Sequence, residues 1–223
     1  MTECIILAGG SGKRLRLDSK VPKPLLRLNG ITLIDYQLQW LSHYGFDTFY
    51  VPSSIPIKTK IKIIPIKEPK EKLGTGGAIK IALEKVQGTR VYIMNVDDIV
   101  FYDPNLLVKE AYLGGAILVT KPVSEFGRIE FDNANNITRF EEKPQMPWST
   151  NCGHYAMKKD VLMKYLPDKG ALEVSSLPLM AEHKLLRVLE YEGKWITINT
   201  YKDLEKAREE LKIVRKELGL SSI

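Results

Sequence analysis

Apolar residues along this chain fall into short runs parted by glycine, proline and charged turns, and their spacing alternates between two periods. Cys4-Ile5-Ile6-Leu7-Ala8 is a branched apolar run ended by glycine, the pattern of a buried parallel strand. After the Asn29-Gly30 turn, Leu33, Ile34, Leu38, Leu41 and Tyr44 recur at helical spacing, and Gly45 is placed to end that helix. Thr48 to Val51 and Ile61 to Ile66 predict two strands, divided by the Pro- and Ser-rich loop 52–60. The stretch Gly74-Thr75-Gly76-Gly77 opens a helix reaching about Val86, and Arg90 to Met94 is a strongly apolar strand. Asp103-Pro104 gives a cap followed by a proline at the first helical position.

From Gly115 the pattern changes. Ala116 to Thr120, Arg128 to Phe131, Ile137 to Phe140 and His154 to Met157 predict short strands with turns between them, a β-rich lobe built onto the first sheet. A helix near Glu173, a strand from Leu185 to Tyr191 and an amphipathic helix from Tyr201 to Leu218 close the chain.

At 223 residues the chain suits a single domain, with one half at about 1–114 and the lobe and closing helix at about 115–218. Its 44% apolar and 27% charged residues are those of an ordinary globular protein. No apolar run reaches the roughly 18 residues that cross a bilayer, and the first strand begins almost at Met1, so a cytoplasmic protein without a membrane partner is expected. Cys4 and Cys152 fit reduced core thiols. A formal charge of +6 suits anionic substrates or reflects a lysine-rich surface. The cations are spread without interleaved aromatics, which argues against nucleic acid as a partner.

The chemistry concentrates after the first strand. Gly9, Gly10, Ser11 and Gly12 leave the backbone bare, so successive N–H groups can form a nest for phosphate oxygens. Lys13, Arg14 and Arg16 add cations, and Lys23 is held between Pro22 and Pro24. A Walker A loop is excluded, because Gly12-Lys13 is followed by Arg14; the dinucleotide fingerprint fails at Leu15. Asn95-Val96-Asp97-Asp98 sits at the carboxyl end of an apolar strand, where ligands of parallel sheets bind and hard oxygens suit Mg²⁺.

L-A-G-G-x-G-x-R-L followed by P-K-P-L resembles the opening signature of the sugar-phosphate nucleotidylyltransferases, and the likeness runs in order from Thr2 to about Ala207. Leu73-Gly74-Thr75 matches the segment that reads the base, Phe126-Gly127 the Y-G, Glu141-Glu142-Lys143-Pro144 the E-E-K-P and Asn151-Cys152-Gly153 the N-x-G. The resemblance implies an α/β fold: a Rossmann-like, mixed but mainly parallel sheet with helices on both faces and a small β-rich lobe. It implies that an NTP and a sugar 1-phosphate give an NDP-sugar and pyrophosphate. It implies Arg14, Lys23, Asp97 and Lys143 as catalytic residues, and Leu7, Ala8, Gly9, Gly10, Ser11, Gly12, Lys13, Gly74 and Thr75 as the nucleotide site. Gly127, Glu142 and Asn151 then hold the sugar phosphate, and Asp97 binds Mg²⁺.

Three positions depart from the pattern, one of them Asn199, which stands at the glycine of the family's W-x-D-x-G-T. Val96 replaces a glycine, and Thr197 stands where a second metal-binding aspartate is usual. Asn199, two residues on, is the candidate stand-in ligand. Two alternatives follow: a degenerate, non-catalytic nucleotide-binding subunit, or a cytidylyltransferase for a phosphorylated alcohol such as phosphocholine, with Trp148, Tyr155 and Trp195 as cage aromatics. A homo-oligomer is compatible with all three.

Overall fold

Every residue of the first strand, β1 (Glu3–Leu7), is buried, so the sheet that contains it needs cover on both faces. The computed structural model describes residues 2–9, 21–69 and 71–217, with side chains through residue 212. After β1 come a single 3₁₀ turn (Lys23–Leu25), the small ladder β2 (Arg27–Leu28) and β3 (Ile31–Thr32), and helix α1 (Leu33–His43). Strands β4 (Thr48–Ser53) and β5 (Ile64–Lys67), helix α2 (Gly74–Leu83) and strand β6 (Arg90–Asn95) complete the first half. Then follow β7 (Asp98–Ile99), α3 (Pro104–Glu110), β8 (Gly115–Thr120), the ribbon β9 (Arg128–Phe131) and β10 (Ile137–Glu141), and β11 (Thr150–Lys158). The chain closes with α4 (Lys159–Leu162), α5 (Leu172–Glu182), β12 (Leu186–Glu190), β13 (Ile196–Thr197) and α6 (Tyr201–Glu217).

Seven strands form one sheet in the order β12-β8-β11-β6-β1-β4-β5, in which β11 alone runs against the other six. Side chains alternate strictly between two cores. Cys4, Ile6, Tyr92, Met94, Phe49 and Val51 face α1, α3 and α6, whereas Ile5, Leu7, Ile93, Val91 and Tyr50 face α2 and α5. This is the predicted mixed, mainly parallel sheet covered on both sides. Both cysteines are buried and free.

The β-rich lobe is smaller than the strand pattern predicts. β8 and β11 join the central sheet, and only the β9–β10 ribbon stands outside it. The reason is the side chains: Gly-Ala-Ile-Leu-Val-Thr in β8 has apolar residues for both faces, so it needs cover on both. β9 and β10 instead alternate. Ile129, Phe131, Ile137 and Phe140 are exposed, and Arg128–Glu130 and Arg139–Glu141 ion pairs occupy the intervening positions. β5 begins at Ile64, not Ile61; Ile61 and Ile63 pack on the core from irregular chain. No helix among the described residues is long and apolar enough to cross a membrane.

Candidate active site

Leu7 pairs with Asn95, so Gly9 and Asp97 leave neighbouring parallel strands side by side at the carboxyl edge of the sheet. Lys23 reaches the same edge from its 3₁₀ turn, where Leu25 N–H donates to Pro22 O at 2.9 Å and the buried ring of Pro24 anchors the loop. Its ammonium forms a largely buried ion pair with Asp97 Oδ2. Two residues that are 74 apart in sequence are thus joined at the strand ends.

Asp98 holds this turn in place. Its carboxylate accepts Asn95 Nδ2 at 3.0 Å and Trp195 Nε1 at 3.0 Å, and Thr197 donates to it as well. Its carbonyl accepts Gln37 Nε2 at 2.9 Å and His154 Nε2 at 3.1 Å. Burial raises the Asp98 carboxyl to about 7, with the Asp97 charge adding to the rise and the three side-chain donors opposing it. Sequence alone groups Asp98 with Asp97 at the strand end; the signal for its structural role was Gln37, a lone buried amide in the apolar stripe of α1. Val96 turns into the core with Tyr92 and Met94, so its replacement of glycine leaves the site clear.

The fourth residue in this arrangement is Thr197, paired with Asp98 across the β13–β7 ladder. Asn199 Nδ2 donates to Thr197 Oγ1 at 3.2 Å, while Asn199 N–H and Thr200 N–H bond Asp203 at the start of α6. Among the described residues no three His, Cys, Asp or Glu side chains converge as a metal cage. A single carboxylate, Asp97, with the Asn199 amide beside Thr197 fits Mg²⁺, which takes few protein ligands and keeps water or phosphate oxygens. His154 is excluded as a base. It is wholly buried, with Tyr92 OH on Nδ1 at 2.7 Å, and burial lowers its pKa to about 4.

A slot of about 260 Å³ opens beside this turn, lined by Leu7, Gly9, Glu68, Lys72, Gly74, Thr75 and Ala78. It therefore unites four residues of the expected nucleotide site; Ala8 turns its side chain into the core. Gly74 has φ 76°, and a Cβ there would overlap the Gly170 carbonyl, so only glycine lets α2 start this close to the 167–170 loop. Gly10, Ser11, Gly12, Lys13 and Arg14 lie outside the described residues.

Of the expected acceptor residues, Gly127 and Glu142 are neighbours: a Cβ on Gly127 would lie 3.3 Å from Glu142 Oε2. Lys143 is exposed, with φ 48°, and makes no hydrogen bond or ion pair among the described residues. Asn151 opens β11, whose Gly153 packs against Asn95 and Asp98. Asn151 Nδ2 donates to Tyr155 OH at 2.6 Å, Tyr155 OH to Glu173 Oε1 at 3.4 Å, and Thr75 Oγ1 to Glu173 Oε2 at 2.8 Å. That chain links the expected acceptor residue to the helix lining the slot. The three cage aromatics do not assemble: Tyr155 is wholly buried, Trp195 serves Asp98 and Trp148 is mostly exposed. A larger hollow of about 460 Å³, lined in part by Lys121, Gln145 and Glu190, lies across β11 from Asp97.

Residues 3–212 match a family model described as nucleotidyl transferase. The chain is similar to the bifunctional sugar-1-phosphate nucleotidylyltransferase/acetyltransferase of Sulfurisphaera tokodaii, at 30% identity over 214 residues, 88% of this chain and 52% of that protein. It is similar to the mannose-1-phosphate guanyltransferase of Saccharomyces cerevisiae, at 29% identity over 222 residues, 89% of this chain and 62% of that protein. The chain thus spans between half and two thirds of these relatives. The crystal structure of HddC from Yersinia pseudotuberculosis shares the fold, with a TM-score of 0.71 at 23% identity over 95% of this chain and 100% of that one.

Proposed function

The chain belongs to the nucleotidyl transferase family, and on that premise we propose that it joins an NTP to a sugar 1-phosphate, giving an NDP-sugar and pyrophosphate. The observation that carries this reading is the Lys23–Asp97 pair at the sheet edge, next to the strand exit at Gly9 that lines the slot. A phosphate monoester's second pKa is about 6, so the attacking oxygen is already an anion near neutral pH. No general base is needed, which agrees with a His154 locked between Tyr92 and Asp98. The protein's work is to bring two polyanions into line and to stabilise charge developing at the α-phosphorus.

In this reading Leu7, Gly9, Gly74 and Thr75 bracket the base, and Gly10–Lys13 and Arg14 take the outer phosphates. Gly127, Glu142 and Asn151 hold the sugar phosphate, with Lys143 and Lys23 meeting the phosphoryl oxygens between the substrates. Lys23 leaves Asp97 for those oxygens when substrate arrives. Asp97, with the Asn199 amide oxygen as a second donor, would hold Mg²⁺, which when bound supplies positive charge to the triphosphate. Two free thiols suit a cytoplasmic setting.

Pyrophosphate release, screened with the common NTPs against a panel of sugar 1-phosphates, tests the reading. Release dependent on both substrates is expected, and its absence from every pair overturns it. Thr197 supports a second reading, a nucleotide-binding subunit without turnover, because it leaves Asp97, ion-paired to Lys23, as the one carboxylate of this turn not bonded within the turn among the described residues. Nucleotide binding without pyrophosphate release, with release gained by Thr197→Asp, favours that reading.

A further inference from the structure

The slot beside Gly9 ends at a carboxylate to which the described protein gives no hydrogen-bond donor. Glu68 follows β5, with its backbone N–H on Ser53 O at 3.3 Å. Its side chain leans over the exit of β1, where a Cβ on Gly9 would stand 2.6 Å from Glu68 Oε1. Lys72 lines the same slot. Burial pushes the Glu68 carboxyl up from its ordinary value, and the Lys72 ammonium opposes that rise. Thr75 Oγ1 is not free to read a ligand, since it accepts Leu172 N–H at 2.8 Å and donates to Glu173.

A carboxylate is acceptor-only, and it binds best where two donors lie side by side. Guanine presents such a pair, N1–H beside the N2 amino group, with the O6 acceptor next in line. Uracil and thymine offer one N–H flanked by two carbonyls. Cytosine and adenine offer an amino group beside a lone-pair nitrogen. Against each of these the second carboxylate oxygen meets another acceptor, which repels it.

We propose that Glu68 selects guanine, its two oxygens taking N1–H and the N2 amino group while Lys72 donates to O6. The inference rests on the nucleotidyl-transfer reading for its place in a reaction, and it names the base for that site. The partly dehydrated position of Glu68 strengthens the discrimination, because a bond made away from water is stronger and an unmatched polar group there costs more.

Equilibrium binding of GTP, UTP, CTP and ATP without sugar phosphate tests it independently of turnover. GTP binds wild type about tenfold or more tightly than the other three. Glu68→Gln, at a partly exposed position, removes most of that preference and leaves UTP binding unchanged or tighter, because an amide offers one donor and one acceptor. Equal affinity for all four, tighter binding of another base, binding of none, or an equal loss for all four in Glu68→Gln overturns the inference. Guanine preference dependent on Glu68, with no pyrophosphate release from any pair of substrates, keeps the inference and removes the transferase reading. Release that favours another base does the reverse.

Discussion

Thr197 lies directly across the β13–β7 ladder from Asp98 and gives its hydroxyl to that buried carboxylate. A carboxylate at 197 would therefore face Asp98 as well as Asp97. Thr197→Asp is expected to destabilise the metal-free protein by roughly 1–3 kcal/mol, through the lost hydrogen bond to a buried charged group and added like charge. Mg²⁺ should recover most of that loss and act at lower concentration than in wild type. Thermal melts with and without Mg²⁺ check both halves; a variant unaffected by Mg²⁺ would mean that 197 lies off the metal path.

Lys23→Ala should lower kcat/KM at least about tenfold, because a cation on a transferring phosphoryl group contributes a few kcal/mol at the transition state. Asp97→Asn should abolish turnover. Circular dichroism of both variants should match wild type, since the ion pair sits at the sheet edge and not in either core. Normal turnover in well-folded Lys23→Ala removes the central assignment.

Glu142→Ala should raise KM for the sugar phosphate and leave KM for the NTP nearly unchanged. Glu142 lies beside Gly127, next to the ribbon, whereas the slot is lined by β1 and α2. Steady-state kinetics with each substrate varied in turn decides; equal weakening of both would displace the acceptor pocket.

His154 makes stability pH-dependent. Its folded pKa of about 4 lies below the unfolded 6.5, so the unfolded chain binds the proton first as pH falls. The neutral ring contributes no loss above about pH 6.5, and destabilisation grows between there and about pH 4, reaching about 2 kcal/mol at pH 5. Asp98, raised to about 7, takes up its proton in the folded state over the same window and offsets this loss, so the His154 contribution is read as a difference: between pH 7.5 and 5.0 urea stability should change about 2 kcal/mol less favourably in wild type than in His154→Gln. Identical differences would refute a buried neutral imidazole.

Gly153→Ala should be among the most damaging single changes, at roughly 3 kcal/mol from strain and overpacking together. Its φ is 74°, and a Cβ would overlap Asp98 Oδ2 and lie 2.6 Å from Asn95 Nδ2. Denaturant midpoints measure the cost, and a shift under about 0.5 kcal/mol would show that the Asp98 turn gives way freely.

Much of the sheet was legible because strand β1 carries its own evidence of two-sided burial, and the alternation of Cys4 and Ile6 with Ile5 and Leu7 needs no partner to be read. The order of motifs, from the glycine loop through Lys23, Asp97 and Glu142 to Thr197, likewise follows from sequence alone and led to the family. What sequence could not supply is any relation that depends on which strands become neighbours. Whether β8 joins the main sheet or a separate lobe is decided by long-range pairing with β11 and β12, and local apolar content is compatible with both. Asp98 reads as a second acid beside Asp97 until Gln37, His154, Trp195 and Thr197 close around it from three separate stretches of chain. Glu68 reads as one charge in a charged run until the fold sets it over Gly9, because hydrogen bonding and desolvation act through distance in space, to which spacing along the chain is blind.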